Sequence, residues 1–174
     1  MRIDDWSARH VTDSARAILG QVQRRAWERG MPALDGEAAE MLALWSLLLW
    51  ERKVGLVALE RSGVDRFELA RGLDQLLEDT SDDKGVAWDS QRSALVRAKA
   101  ATPFQPPDLD ALLEPLLLQA EHEALALTHN YVGSEHVLLA IVRLAKPALA
   151  NLLRHRGMAY DRLRQAVVDL LREP

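Results

Sequence analysis

Two stretches of the chain carry one helical stripe twice over, and no other feature restricts the fold as much. After Thr12 and Asp13, the apolar positions Ala15, Ile18, Leu19, Val22 and Ala26 fall on a single helix face. Adding 98 to each number lands on Leu113, Leu116, Leu117, Ala120 and Ala124, the same stripe with the same intervals. A second helix follows in each stretch. Gly36 with Leu42, Ala43 and Leu44 corresponds to Gly133 with Leu139, Ala140 and Ile141 at an offset of 97, one residue being inserted between Met31 and Asp35. A duplicated unit of this size implies two similar halves sharing one core, which leaves function to the surface.

The correspondence continues. Leu59, Glu60, Arg61, Ser62 and Gly63 close a third helix in the first copy, as Leu153, Arg154, His155, Arg156 and Gly157 do in the second. Each glycine suits a left-handed C-cap. A fourth helix through Leu69, Leu73, Leu76 and Leu77 is matched at an offset of 94 by Leu163, Val167, Leu170 and Leu171. Thr12 is suited to cap the first helix, and Pro147 to open the third helix of the second copy. Pro115 implies that the first helix of that copy either starts near Glu114 or kinks. The expected fold is all-α, a tandem pseudo-twofold repeat of two four-helix units within one domain over residues 1–174. One repeat runs over about 11–78 and the other over about 109–172. The connector, about 79–108, opens with an acidic run from Glu78 to Lys84 that reads as loop. An extra helix can form over Asp89 to Ala101, and the stretch from Pro103 to Pro107 is extended.

Composition removes whole classes. The sequence has 174 residues and no cysteine, so disulfides, thiol nucleophiles and Cys-ligated metals are excluded. A formal charge of -4, with bases and acids interspersed, argues against a general nucleic-acid binder. The longest apolar run, Met41 to Trp50, is about half of what a bilayer crossing needs, and Met1 leads into Arg2, Asp4 and Asp5 without a secretory segment. A cytoplasmic, non-membrane protein is expected. Trp6, Trp27, Trp45, Trp50 and Trp88 read as core or helix-contact residues.

The run His129-Asn130-Tyr131-Val132-Gly133-Ser134-Glu135-His136 at the second copy's second helix resembles the Gly-Thr-Glu-His turn of the Clp/Hsp100 amino-terminal domain, of the ClpA, ClpB and ClpC type. The likeness spans about Val11 to Leu171 apart from the connector. The first copy departs, with Gly36-Glu37-Ala38-Ala39 where the family shows Gly-Thr-Glu-His. No Gly-rich loop ending in Gly-Lys-Ser/Thr occurs, so ATP-driven unfolding is not expected of this chain. A free-standing relative fits Met1 slightly better than an excised domain does. The resemblance implies a non-enzymatic module that binds protein or peptide substrates, Clp ATPases or adaptors. It would act as adaptor, decoy or regulator of Clp-dependent proteolysis or disaggregation.

In ClpC-like members a Glu of each copy holds the guanidinium of a phosphorylated arginine. By resemblance Glu135, with Ser134 beside it, takes that role here. Glu37 aligns with Ser134, and reaches the position of Glu135 only by a one-residue shift. Physical chemistry allows a plainer reading. Ser134 can cap a helix, and Glu135 in a first turn is favoured by the helix dipole. Other chemistry is thin: His122-Glu123 lacks the second histidine of a zinc-protease motif, since Ala126 stands four residues after His122, and His122 and Glu121 read as solvent-facing. His129, Glu135 and His136 lack an Asp or Cys to complete a metal set, so neither catalytic residue nor metal nor cofactor is expected. Two alternatives are a structural protein that lost peptide recognition and a small-molecule sensor using the cleft between repeats. Oligomeric state is not legible.

Overall fold

The computed structural model describes residues 10–29, 31, 35–49, 54–82 and 109–173. These residues form eight α-helices: α1 (Asp13–Glu28), α2 (Gly36–Leu48), α3 (Val54–Arg61), α4 (Arg66–Asp82), α5 (Leu109–Ala126), α6 (Ser134–Leu144), α7 (Pro147–His155) and α8 (Tyr160–Arg172). The all-α bundle expected from the repeated stripe is what the chain adopts, and among the described residues extended backbone makes only one isolated parallel bridge, Val11 to Val132. The additional helix expected over 89–101, and Trp6, Trp50 and Trp88, lie outside the described residues.

Both stripes point inward as the spacing requires. Ala15, Ile18, Leu19 and Val22 of α1, and Leu113, Leu117 and Ala120 of α5, are fully buried in one continuous core with Leu42, Leu44, Leu139 and Ile141. Thr12 caps α1, its hydroxyl accepting the Ala15 N–H at 3.3 Å. Gly63 and Gly157 end α3 and α7 with φ of 86° and 74°, a backbone region that a Cβ disfavours. The next residues fold back in the same way. Val64 N–H reaches the Leu59 carbonyl at 3.4 Å, and Met158 N–H reaches that of Leu153 at 2.9 Å.

Packing runs both within the halves and across them. α1 lies on α2 as α5 lies on α6, but α3 packs against α8 and α4 packs against α7. The crossing is close. A Cβ on Gly72 of α4 would come within 2.4 Å of the Leu152 side chain in α7, and one on Gly55 of α3 within 2.8 Å of the Ser134 carbonyl oxygen.

Two elements differ from expectation. α4 runs on to Asp82, so Glu78 to Asp82 are helical where the acidic composition predicted loop. α5 begins at Leu109 and passes through Pro115, which excludes a start near Glu114. Pro115 sits on the exposed face, where its ring meets solvent rather than a packed neighbour. Trp45 is half-buried against the core, with the guanidinium carbons of Arg25 and Arg29 at 4.6 and 5.2 Å from its ring centre.

Candidate protein-binding site

The loop 127–133 and the first turn of α6 gather the polar residues that the sequence singled out. Ser134, Glu135 and His136 are 3%, 3% and 0% exposed. Gly133, with φ -100° and ψ 179°, takes the N-cap position expected for Ser134. Ser134 is drawn elsewhere: its Oγ accepts the Gly55 N–H of α3 at 3.2 Å and lies 3.3 Å from Glu135 Oε2. The Glu135 carboxylate folds back over Gly133 so closely that a Cβ there would stand 2.3 Å from Oε1. A side chain at position 133 would push the carboxylate aside.

Burial raises the pKa of the Glu135 carboxyl, opposed by its own backbone N–H, the Ser134 and Tyr131 hydroxyls and the positive charge His129 can carry. The ion pairs among the described residues include none between Glu135 and a lysine or arginine. The charged-group neighbour closest in that set, His136, has its Nδ1 3.6 Å from Oε1. Burial also lowers the pKa of His136 to about 4, so its ring is neutral at physiological pH. Glu135 is thus a buried carboxylate without a permanent cation.

The histidines form a chain of hydrogen bonds. The Gly133 N–H donates to His136 Nδ1 at 2.8 Å, which places the single proton of the neutral ring on Nε2. That nitrogen faces His129 Nδ1 at 2.9 Å, so His136 donates and His129 accepts. Tyr131 stacks on His129 at 5.2 Å with ring planes 4° apart, and both rings meet His136 edge-on. His129 and Tyr131 also wall an open surface groove with His10, Glu121, Leu125 and Asn130. His10, in the groove wall, has left-handed backbone (φ 54°), as does Thr128 (φ 61°), the residue before His129.

His129, Glu135 and His136, the trio the sequence set aside for want of an Asp or Cys, do bring one ligand atom each to within 4.8 Å of one another. The donor set nevertheless fits a metal poorly. Nε2 of a metal-bound neutral imidazole must give up its proton to Nδ1, yet Nδ1 here receives the Gly133 N–H, which a proton on that nitrogen would oppose.

Glu37, the first-copy counterpart, lies on α2 and turns toward α7 instead of this cluster. Its Oε1 accepts the Ala148 and Leu149 N–H groups of α7 at 3.1 and 3.4 Å. Ser134 and Glu37, 97 residues apart, therefore do one job each on opposite halves: each receives N–H groups from the opening of the other half's third helix. Asp35 caps α2 instead, accepting the Ala38 N–H at 2.8 Å.

His122 is exposed and Glu121 half-buried, whereas Glu123 is buried at 2% exposure. Glu123 takes Arg143 at 2.8 Å, Gln119 at 2.8 Å and the Tyr160 hydroxyl, a network that ties α5, α6 and α8 together. No motif announced it, because its members come from three helices.

Residues 109–174 match the Clp repeat N-terminal domain family. Within the chain, 52 residues are 42% identical to a probable ATP-dependent Clp protease ATP-binding subunit of Chlamydia pneumoniae. A stretch of 49 residues is 41% identical to the negative regulator of genetic competence ClpC/MecB of Bacillus subtilis. These alignments cover 30% and 28% of this chain and 6% of each relative. A solved structure from investigations of a malarial protein secretion system covers 93% of this chain, and 94% of its own is covered, with a TM-score of 0.63 at 15% identity. It shares the fold alone. The likeness to the Clp repeat family is thus found in sequence over residues 109–174, and the likeness to the solved structure is one of fold over nearly the whole chain. No single helix among the described residues is long and apolar enough to cross a membrane.

Proposed function

We propose that the chain is a non-enzymatic, cytoplasmic module that binds proteins or peptides, as the substrate- and adaptor-recruiting domain of Clp ATPases does. It serves as adaptor, decoy or regulator of Clp-dependent proteolysis or disaggregation, with Clp subunits, adaptors or marked substrates as partners. In this reading one repeat spans about 11–78 and the other about 109–172, on either side of the connector. The observation that carries it is that the Clp repeat match covers the segment holding Glu135, a buried carboxylate with no lysine or arginine paired to it. Such a group gains most from an incoming guanidinium, which can offer two parallel charge-assisted hydrogen bonds. Ser134 steadies the carboxylate. Glu37 is engaged with α7, so one receiving site is proposed rather than two.

Titration of the full chain with an arginine-bearing peptide tests this. Glu135→Ala is expected to keep the fold by circular dichroism and to weaken binding about tenfold or more. Equal affinities remove Glu135 from the site. A structural role for the whole protein draws support from Ser134 and Glu37, both engaged between helices. A pulldown separates the two readings: Clp subunits or adaptors support recruitment, and recovery of the protein alone supports the structural role.

A further inference from the structure

We infer that the surface of α6 and α8 around Tyr160 is a separate docking surface that takes an acidic stretch of a partner protein. Its anchors are Arg143, held over the Tyr160 ring, and Arg164, one turn further along α8. The inference does not depend on what Glu135 receives.

Charge is shared unevenly along the chain. From Arg143 to Arg164 the sequence carries six lysine and arginine residues against one acid, Asp161, although the whole chain has a formal charge of -4. Three of the six are engaged with acids elsewhere: Arg143 with Glu123 at 2.8 Å, Arg156 with Glu68 at 3.0 Å, and Lys146 more loosely with Glu40. Arg164 reaches the Ala126 carbonyl at the end of α5, at 3.5 Å, and a carbonyl leaves its charge uncancelled. Arg154 and Arg162 are exposed, with no acid paired to them among the described residues. The potential over this part of the molecule is positive, which draws in carboxylates and repels cations.

The setting of Arg143 turns a positive region into a receiving surface. Its side chain is 51% exposed, yet its Nε donates to the buried Glu123 and its guanidinium carbon lies 4.3 Å from the Tyr160 ring centre. Glu123 is fixed in turn by the Gln119 amide and the Tyr160 hydroxyl. An ordinary surface arginine gives up side-chain freedom when it binds, whereas this one has already given it up on folding. The bond from Nε uses one of five donors, and the two terminal nitrogens carry the others in the planar fork that matches a carboxylate. Tyr160, half-buried beneath, adds a rigid apolar face for the stem of an incoming glutamate. Tyrosine and arginine placed together are the residues that most often carry the energy of an interface.

The test is a fluorescence anisotropy titration of the full chain with a labelled, amidated peptide of alternating glutamate and alanine, its glutamine version serving as control. Wild type should bind the glutamate peptide alone, and lose about tenfold in affinity or more between about 0.05 and about 0.5 M salt. Arg164→Gln is expected to weaken binding about fivefold or more, and Arg143→Lys about as much, since lysine keeps a charge beside Glu123 without the fork. Arg154→Gln, at the exposed end of α7, should stay within about twofold of wild type. Circular dichroism checks each fold, and should Arg143→Lys not fold, Arg164→Gln decides. An equal loss in Arg154→Gln and Arg164→Gln overturns the proposal, because it describes attraction to net charge rather than a site. Wild type that binds neither peptide overturns it too, as does a marked preference for a phosphoserine peptide over glutamate. Sedimentation showing self-association that Arg164→Gln abolishes makes a second copy the occupant and sinks the outside partner.

Discussion

The openings of α2 and α6 occupy matching places in the two halves and are built in opposite ways. At α2 an aspartate caps the helix, Glu37 reaches across to Ala148 and Leu149, and Glu40 accepts the Lys146 N–H. Two carboxylates therefore serve the start of α7, where the helix dipole favours them. At α6 the cap is a glycine, the crossing helix α3 is served by the neutral Ser134 hydroxyl, and the carboxylate of Glu135 is turned inward. The first arrangement aims both acids at the opening of α7, although burial leaves one Glu40 oxygen without a partner. The second turns one acid inward with no lysine or arginine paired to it among the described residues, at a cost in burial.

Exchanging the residues at the crossings attacks this contrast most directly. Gly55 and Leu149 are equivalent positions of α3 and α7, but a Cβ on Gly55 meets backbone atoms of Ser134 and Glu135, whereas Leu149 is fully buried in the core. Gly55→Leu is expected to cost about 3 kcal/mol or more, and Leu149→Ala about 3 kcal/mol, measured by urea unfolding. A tolerated leucine at Gly55 would mean that the two crossings are alike after all.

Acid sharpens the contrast next. His136 titrates at about 4 in the fold against about 6.5 when unfolded, so the unfolded chain takes up its proton first as pH falls. Its contribution to stability is complete above about pH 6.5 and declines down to about pH 4, by about 3 kcal/mol in all. Glu135 and Glu40 run the other way. Burial raises both, Glu40 to about 7, so each becomes less destabilising as it protonates, and their effect is isolated only by subtraction. Denaturation at pH 7 and pH 4.5 should show a smaller acid loss in His136→Asn than in wild type.

Smaller effects follow at the single side chains. Ser134→Ala strands the buried Gly55 N–H and is expected to cost about 1 to 2 kcal/mol, while Glu37→Ala, half-exposed, costs about 1 kcal/mol. Glu135→Gln is expected to stabilise slightly at neutral pH, by a degree or more in melting temperature, while weakening arginine-peptide binding. A destabilised Glu135→Gln would show that the carboxylate serves the fold.

The stripes of α1 and α5, the paired glycine stops and the Thr12 cap were legible because each depends on residues within a few turns of one another. Helix partners were not. That α3 lies on α6 and α4 on α7 depends on glycines at positions 55 and 72 whose tolerance for close approach shows only once another helix is against them. The motif around Ser134 and Glu135 was visible as a string, but its orientation was not. Gly55 brings α3 onto the first turn of α6, and this contact, rather than any property of the motif, buries Ser134. The bond between His129 and His136 escaped for a related reason: it needs a loop that turns the chain back, through Thr128 at φ 61°, upon the helix that follows. Glu78 to Asp82 read as linker by composition, yet the leucines before them carry α4 onward.

The reciprocal exchange of third helices has a consequence for any attempt to divide the molecule. Ser134 completes a helix that begins some eighty residues earlier, and Glu37 completes one that begins over a hundred residues later. Fragments separated anywhere between α4 and α5 would each expose unpaired helix starts and half a core. Such pieces should behave as obligate partners, disordered when alone and recovering the bundle only on mixing.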